Sequence, residues 1–299
     1  MTGEFALIDR LRRSLPPLEA GAVGIGDDAA AVRPPAGWLL LAADTVVAGV
    51  HADLALCGLD DLGWKSLAVN VSDIAAMGGW PLHALVTVAG PPDTDVDLLY
   101  QGVAQAARAF HCPVVGGDLA NAEVLVVTVA ITGTLDGDPV QRRGAVPGDG
   151  IYLTGAVGLS AAGLRQLRHG VTDFTAAVSA YRRPFPVVAA GLAAKAGGAT
   201  AMIDVSDGLC ADLGHLADAS GVGTALDQVP VGEGATLAEA LTGGEDYVLV
   251  FTAPDEDRVV DAFAGLAPVS RIGRCTEDPA ERTLAGAPFP PGGWEHEWR

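Results

Sequence analysis

WLLLAADTVV, residues Trp38–Val47, is a run of apolar residues with one carboxylate inside it. Such a run reads as a buried strand that delivers Asp44 near its carboxyl end, where α/β sheets gather ligand chemistry; a turn residue or a helix N-cap is the plainer reading of Asp44. Outward from this strand the apolar pattern changes period. Leu59–Met77 and Asp95–Phe110 read as helices, while Leu82–Gly90, Glu123–Leu135 and Asp149–Gly155 return to strand character. Helices are expected again at Leu159–His169, Pro184–Ala196 and Asp207–Ala219, and strands at Tyr247–Thr252 and Val269–Gly273. This alternation predicts an α/β chain of α+β type rather than a bundle or a sandwich. LDGDPVQRRGAVPGDG (Leu135–Gly150) concentrates Gly, Pro and charge between two strand-like runs, which sets a boundary between domains at residues 1–137 and 138–299.

The chain has 299 residues, 49% of them hydrophobic and only 5% aromatic, so Ala, Val, Leu and Gly must build a substantial core. Thirty-seven acidic residues stand against 18 basic ones, a net charge of −19. A surface of that sign repels nucleic acid and anionic membranes, and it accepts a phosphorylated ligand only where cations bridge the negative charges. Cys57, Cys112, Cys210 and Cys275 form no CxxC pair, which argues against a zinc site and a disulfide framework and fits a reducing, cytoplasmic setting. MTGEFALIDRLRRSLPP carries charges inside its apolar stretch, and no membrane or secretory segment is expected.

The informative carboxylates are those in apolar surroundings. GIGDDAAAV (Gly24–Val32) holds two adjacent aspartates, Asp27 and Asp28, with nothing basic beside them, so either a water-facing turn or a divalent cation makes the pair tolerable. In SLAVNVSDIAAMGG, Ser66, Asn70 and Asp73 fall on one helix face at i, i+4 and i+7, a narrow polar stripe that suits a polar cavity or a bound ion. Asp118 ends VVGGD, where glycines let backbone approach a ligand or simply make a turn. Asp204 and Asp207 lie in IDVSDGL at the start of a helical pattern. Ser206 or Asp207 is a natural N-cap there, and a phosphate or metal at that helix start would use the same geometry. Glu245 and Asp246 follow two glycines in LTGGEDYVLVFT. Five separated sites of this kind point to an acidic pocket for several Mg²⁺ ions, each taking one or two carboxylates plus water and phosphate.

No GxxxxGK[ST], no convincing dinucleotide fingerprint, no GxSxG elbow and no HExxH is present. What the sequence does contain, in order, is GEF, GIGDDAAAV, ADTVVAGVHAD, KSLAVNVSDIAAMG, VVGGD, RRGAVPGD, YLTG with LSAAGL, IDVSDGL, ADLGH and LTGGEDYVL. Together these motifs resemble the thiamine-monophosphate kinase family, a branch of the superfamily of aminoimidazole ribonucleotide synthetase and selenophosphate synthetase. The resemblance runs from about Gly3 to Trp294.

That resemblance implies ATP-dependent phosphorylation of thiamine monophosphate to thiamine diphosphate, by direct transfer without a phosphoenzyme and without a general base. It implies an N-terminal α/β domain whose strands form a barrel across a homodimer, and a C-terminal α/β domain packed over it that completes the active site. Matched position by position, it implies Asp28, Asp44, Asp73, Asp118, Asp204 and Asp207 as Mg²⁺ ligands. Gly117, Asp118, Arg142 and Ser206 correspond to ATP contacts, and His51, Glu245 and Trp294 to contacts with the thiamine substrate. The chain departs from the pattern at Ala42 and Ala43, where relatives tend to carry hydroxyls, at Leu119 after GGD, and at Leu159. A selenophosphate synthetase-like activity would call for a reactive cysteine in a glycine-rich N-terminal segment, and the first cysteine here is Cys57. GGED and DTVVAGVH weigh against an aminoimidazole ribonucleotide synthetase-like one. A non-catalytic Mg²⁺–nucleotide-binding protein is the remaining alternative.

Overall fold

β1 (Trp38–Val47) occupies the apolar run itself. The computed structural model describes residues 10–17, 36–171, 173, 175–266, 268–290 and 292–294; GIGDDAAAV, with Asp27 and Asp28, lies outside them. The chain divides into two compact units, residues 1–74 with 80–138 and residues 75–79 with 139–299.

The first unit continues with α1 (Leu59–Ala76), β2 (Trp80–Gly90), α2 (Val96–Ala109), β3 (Val114–Asn121) and β4 (Val126–Leu135). Its four strands are ordered β1-β4-β2-β3, with only the β2–β3 pair parallel. Strand alternation sends Val86, Val88, Val127, Val129 and Ile131 to a buried face. α2 packs there, its Tyr100 hydroxyl donating to the Val86 carbonyl at 3.5 Å, and the Asp95 carboxylate caps its start by accepting from Leu98 N–H. The two helices meet without side chains between them: a Cβ at Gly102 would overlap the Asp60 carbonyl, and one at Gly63 the Leu99 carbonyl.

The other face of this sheet is open. Leu39, Leu41, Leu85 and the ends Trp38 and Trp80 are exposed, Leu41 by 73%. Leu41, Ala43, His83, Leu85, Val115 and Ala130 line a shallow groove of about 540 Å³ on the sheet. The expectation of a buried β1 is corrected accordingly: β1 is an edge strand with one covered side. Asp44 lies three residues before the end of β1, which pairs on to Val47 against Val126.

The second unit holds β5 (Gly150–Leu153), α3 (Leu159–Arg168), α4 (Ala176–Arg182), α5 (Val188–Ala196), β6 (Ala201–Asp204), α6 (Leu209–Ser220), β7 (Gly223–Leu226) and α7 (Leu237–Thr242). β8 (Leu249–Ala253), α8 (Glu256–Ala262), β9 (Ser270–Thr276), β10 (Arg282–Leu284) and β11 (Ala287–Pro288) complete it. These strands form one sheet in the order β11-β10-β7-β9-β5-β8-β6. Alternate residues feed two cores. Ile151, Leu153, Ile203 and Val250 pack with Leu209, Leu213 and Leu216 of α6. Tyr152, Met202 and Phe251 pack with Ala190 and Ala193 of α5 and with Val259 and Phe263 at α8. Both faces of the central strands are therefore covered, which is why they read as continuous apolar runs.

Candidate active site

In the first unit, the polar stripe on α1 does structural work before it can do chemistry. Ser66 donates to the Gly63 carbonyl at 2.9 Å, and fully buried Asn70 donates to the Ser66 carbonyl at 2.9 Å. The Asn70 carbonyl oxygen accepts from the Asp44 N–H at 2.9 Å, so the helix grips β1 at the aspartate itself. Asp73, half-buried, follows Asn70 by three residues along the helix. The structure thus links Asp44 to the stripe that carries Asp73.

His51 belongs to the turn after β1. Its Nδ1 accepts from Val47 N–H at 3.0 Å, which places the proton of a neutral ring on Nε2. Buried Lys65, off the stripe, donates from Nζ to the His51 carbonyl at 3.2 Å and fixes the same turn. Asp118 is exposed on β3 beside Thr87, within the strand rather than after it. β1 and β3 are opposite edges of the sheet, three strand spacings or about 14 Å apart along it. Within this unit, then, Asp44 and Asp118 are not brought together. The glycine before Asp118 has a local reason: a Cβ at Gly117 would overlap the Val86 carbonyl of β2.

The second unit gathers more. Asp204 ends β6 and is buried, and the chain then turns through Ser206, Asp207 and Gly208 into α6. The expected N-cap at Ser206 or Asp207 is not what forms; Gly208 occupies that position and no side-chain cap bond is made. Asp212, in the first turn of α6, reaches back instead. Its Oδ2 accepts from the N–H groups of Ser206, Asp207 and Gly208 at 3.0, 3.0 and 3.1 Å. Burial pushes the Asp212 carboxyl up to about 7; the charges of Asp204 and Asp207 push the same way, against the turn's N–H bonds. The sequence reading passed over Asp212. The available signal was a carboxylate in the buried ADLGH stretch, one helical turn after IDVSDGL.

The acidic pair after Gly244 divides. Asp246 Oδ2 accepts from Gly158 N–H at 2.6 Å and Oδ1 from Ser160 N–H at 3.2 Å, so it caps α3, where a helix presents unsatisfied donors. Glu245 stands with φ at 66° and Tyr247 at 51°, and their N–H groups donate to the Ser206 and Val205 carbonyls at 2.7 and 2.9 Å. Trp294 N–H donates to the Asp207 carbonyl at 2.9 Å, with its side chain 54% exposed. Asp204, Ser206, Asp207, Glu245 and Trp294 therefore share one turn and its backbone partners. Arg142 is exposed in the loop before β5; its carbonyl accepts from Ser220, and its neighbour's, Gln141, accepts from Met202 N–H on β6.

Burial holds the Asp246 carboxyl up at about 6, against the N–H bonds of α3. An aspartate whose pKa is higher folded than unfolded makes stability fall as pH rises between the two values. Asp246→Asn removes that dependence. Relative to the variant, the wild type is expected to lose roughly 2 kcal/mol of unfolding free energy between pH 4 and pH 6, measured by denaturant titration.

Among the described residues no three His, Cys, Asp or Glu side chains form a metal-holding group. The donors present are nonetheless hard oxygen atoms, which suit a cation that takes one or two carboxylates and completes its shell with water and phosphate. No helix among the described residues is long and apolar enough to cross a membrane.

Both units match descriptions of one class: AIR synthase related protein, N-terminal domain over residues 26–135 and C-terminal domain over residues 146–285. The chain is 36% identical over 293 residues to the thiamine-monophosphate kinase of Mycobacterium tuberculosis (strain ATCC 25618 / H37Rv), covering 95% of this chain and 88% of that one. Its fold is similar to thiamine-monophosphate kinase from Stenotrophomonas maltophilia K279a (33% identity, TM-score 0.83, 95% and 97% covered). It is likewise similar to AaThiL complexed with AMPPCP and TMP (32% identity, TM-score 0.78, 99% and 97% covered). The chain belongs to the thiamine-monophosphate kinase family.

Proposed function

We propose that this protein transfers the γ-phosphoryl group of ATP to the phosphate of thiamine monophosphate, releasing ADP and thiamine diphosphate, the last step in making that cofactor. The observation that carries this reading is the whole-chain likeness to AaThiL, solved with AMPPCP and TMP together. A phosphate oxygen of thiamine monophosphate attacks the γ-phosphorus while the bond to the β-phosphate oxygen breaks. The nucleophile is already anionic, so no general base is needed, and catalysis reduces to positioning and charge neutralisation. Mg²⁺, when bound, shields the mutual repulsion of two phosphorylated substrates. Asp28, Asp44, Asp73, Asp118, Asp204 and Asp207 are the residues assigned to hold it; Gly117, Asp118, Arg142 and Ser206 are assigned to ATP, and His51, Glu245 and Trp294 to the thiamine substrate. Residues 1–137 would form the ATP/Mg²⁺-binding and dimerisation domain, and residues 138–299 the C-terminal domain that completes the site. Incubation with ATP, Mg²⁺ and thiamine monophosphate should yield ADP and thiamine diphosphate in equal amounts. Bound ATP without thiamine diphosphate overturns the proposal.

A second copy of the chain is the proposed occupant of the open sheet face, closing the strands of two protomers into a barrel. An apolar face carrying Leu39, Leu41 and Leu85 supports that reading. Leu41→Glu is expected to shift the protein to monomer in sedimentation; an unchanged dimer, or a monomeric wild type, would count against it. The four cysteines are free, in keeping with action in the reducing cytoplasm.

A further inference from the structure

The Ser206–Gly208 turn is tied at nearly every backbone polar group. Its N–H groups go to Asp212, while the carbonyls of Val205, Ser206 and Asp207 accept from Tyr247, Glu245 and Trp294. In that set Asp212 supplies the only side chain. Three successive N–H groups converging on one point form a cradle that ordinarily receives an anion. Here the cradle is filled from within the chain, by Oδ2 of Asp212, which is 2% exposed and fixed to α6. The expected use of this helix start by a phosphate is thereby pre-empted, and the turn is left to offer ligands its side chains.

We infer that Asp212 is a positioning residue for phosphoryl transfer, locking the backbone that carries Ser206 and Asp207 so that both side chains meet the Mg²⁺–nucleotide in one arrangement. The inference rests on the proposed role of Ser206 and Asp207 toward ATP and Mg²⁺. Three successive amides bonded to one buried oxygen hold the turn in a single arrangement. Losing such a supporting carboxylate typically weakens the groups it orients 10–100-fold, by about the same factor in affinity or activity.

The test compares the full-length wild type with Asp212→Asn, Asp212→Ala and Asp207→Asn. Each is checked for folding by thermal unfolding, for ATP affinity by calorimetry with Mg²⁺, and for kcat and both KM values. Asp212→Asn should fold, bind ATP about tenfold more weakly and lose about 10–100-fold in kcat, with KM for thiamine monophosphate moving less than about threefold. Asp212→Ala should be worse on both counts. A variant that had merely lost stability would lower the active fraction and leave the ATP affinity of its folded molecules unchanged, and that pattern overturns the proposal. A folded Asp212→Asn that binds and turns over like the wild type, beside an impaired Asp207→Asn, overturns it alone. If Asp207→Asn also binds ATP normally, the reading of the turn falls with it. Should Asp212→Ala fail to fold, Asp212→Asn decides.

Discussion

Asp204→Asn is expected to lower kcat/KM for thiamine monophosphate by about 10²–10³ while leaving the unfolding midpoint at neutral pH equal to or above that of the wild type. The first half follows from the proposed chemistry: where catalysis is electrostatic, one misplaced or missing charged group costs about that factor. The second half follows from the geometry. Asp204 is buried near Asp207 and Asp212, close enough to help push the Asp212 carboxyl up to about 7. Unliganded, these carboxylates repel one another, and an isosteric amide removes part of that repulsion. A residue kept only for folding would give the opposite pairing of results. ADP release in a coupled assay and thermal unfolding of the same preparation check both halves. Undiminished turnover would remove Asp204 from the site, and a large fall in the midpoint would make it structural.

Gly102→Ala should be among the most damaging single methyl groups that can be added to the first unit. Its Cβ would overlap the Asp60 carbonyl, backbone against backbone, where α2 crosses α1. Neither helix can yield by changing a rotamer, so the loss should reach the upper end of overpacking effects, about 3 kcal/mol or more. Gly214, inside α6, has nothing within 4 Å of an added Cβ. Gly214→Ala is accordingly expected to stabilise the protein by about 0.5–1 kcal/mol through helix propensity. Denaturant unfolding of the two variants, side by side, separates crowding from propensity. Equal effects of like sign would refute the account of helix contact.

The long elements of the first unit were legible because their apolar patterns are long and unbroken. β1 has the bounds read from the sequence, α1 stops one residue short of expectation at its C-terminal end, and α2 is one residue shorter at each end. β3 was not legible as a strand because Gly116 and Gly117 interrupt it, and Gly117 is there for the approach to β2. The second unit hid α4, α7, α8, β6, β7, β10 and β11, elements of two to seven residues whose formation depends on packing more than on periodicity. The pattern of β1 also could not say that one side would meet solvent. In the site, the aspartates were visible as carboxylates in apolar company. Which of them serve the fold was not, since the caps made by Asp212 and Asp246 depend on turns that local sequence does not specify.

Glu245 carries a further meaning through its backbone. A side chain at φ 66° sits where an L-residue is disfavoured by roughly 1–2 kcal/mol and where glycine sits freely. Two glycines precede it, so the chain already uses that residue type within the same turn. The side chain is thus held against the preference of its own peptide units, a local cost that the bonds from this turn to the Ser206 and Val205 carbonyls must offset.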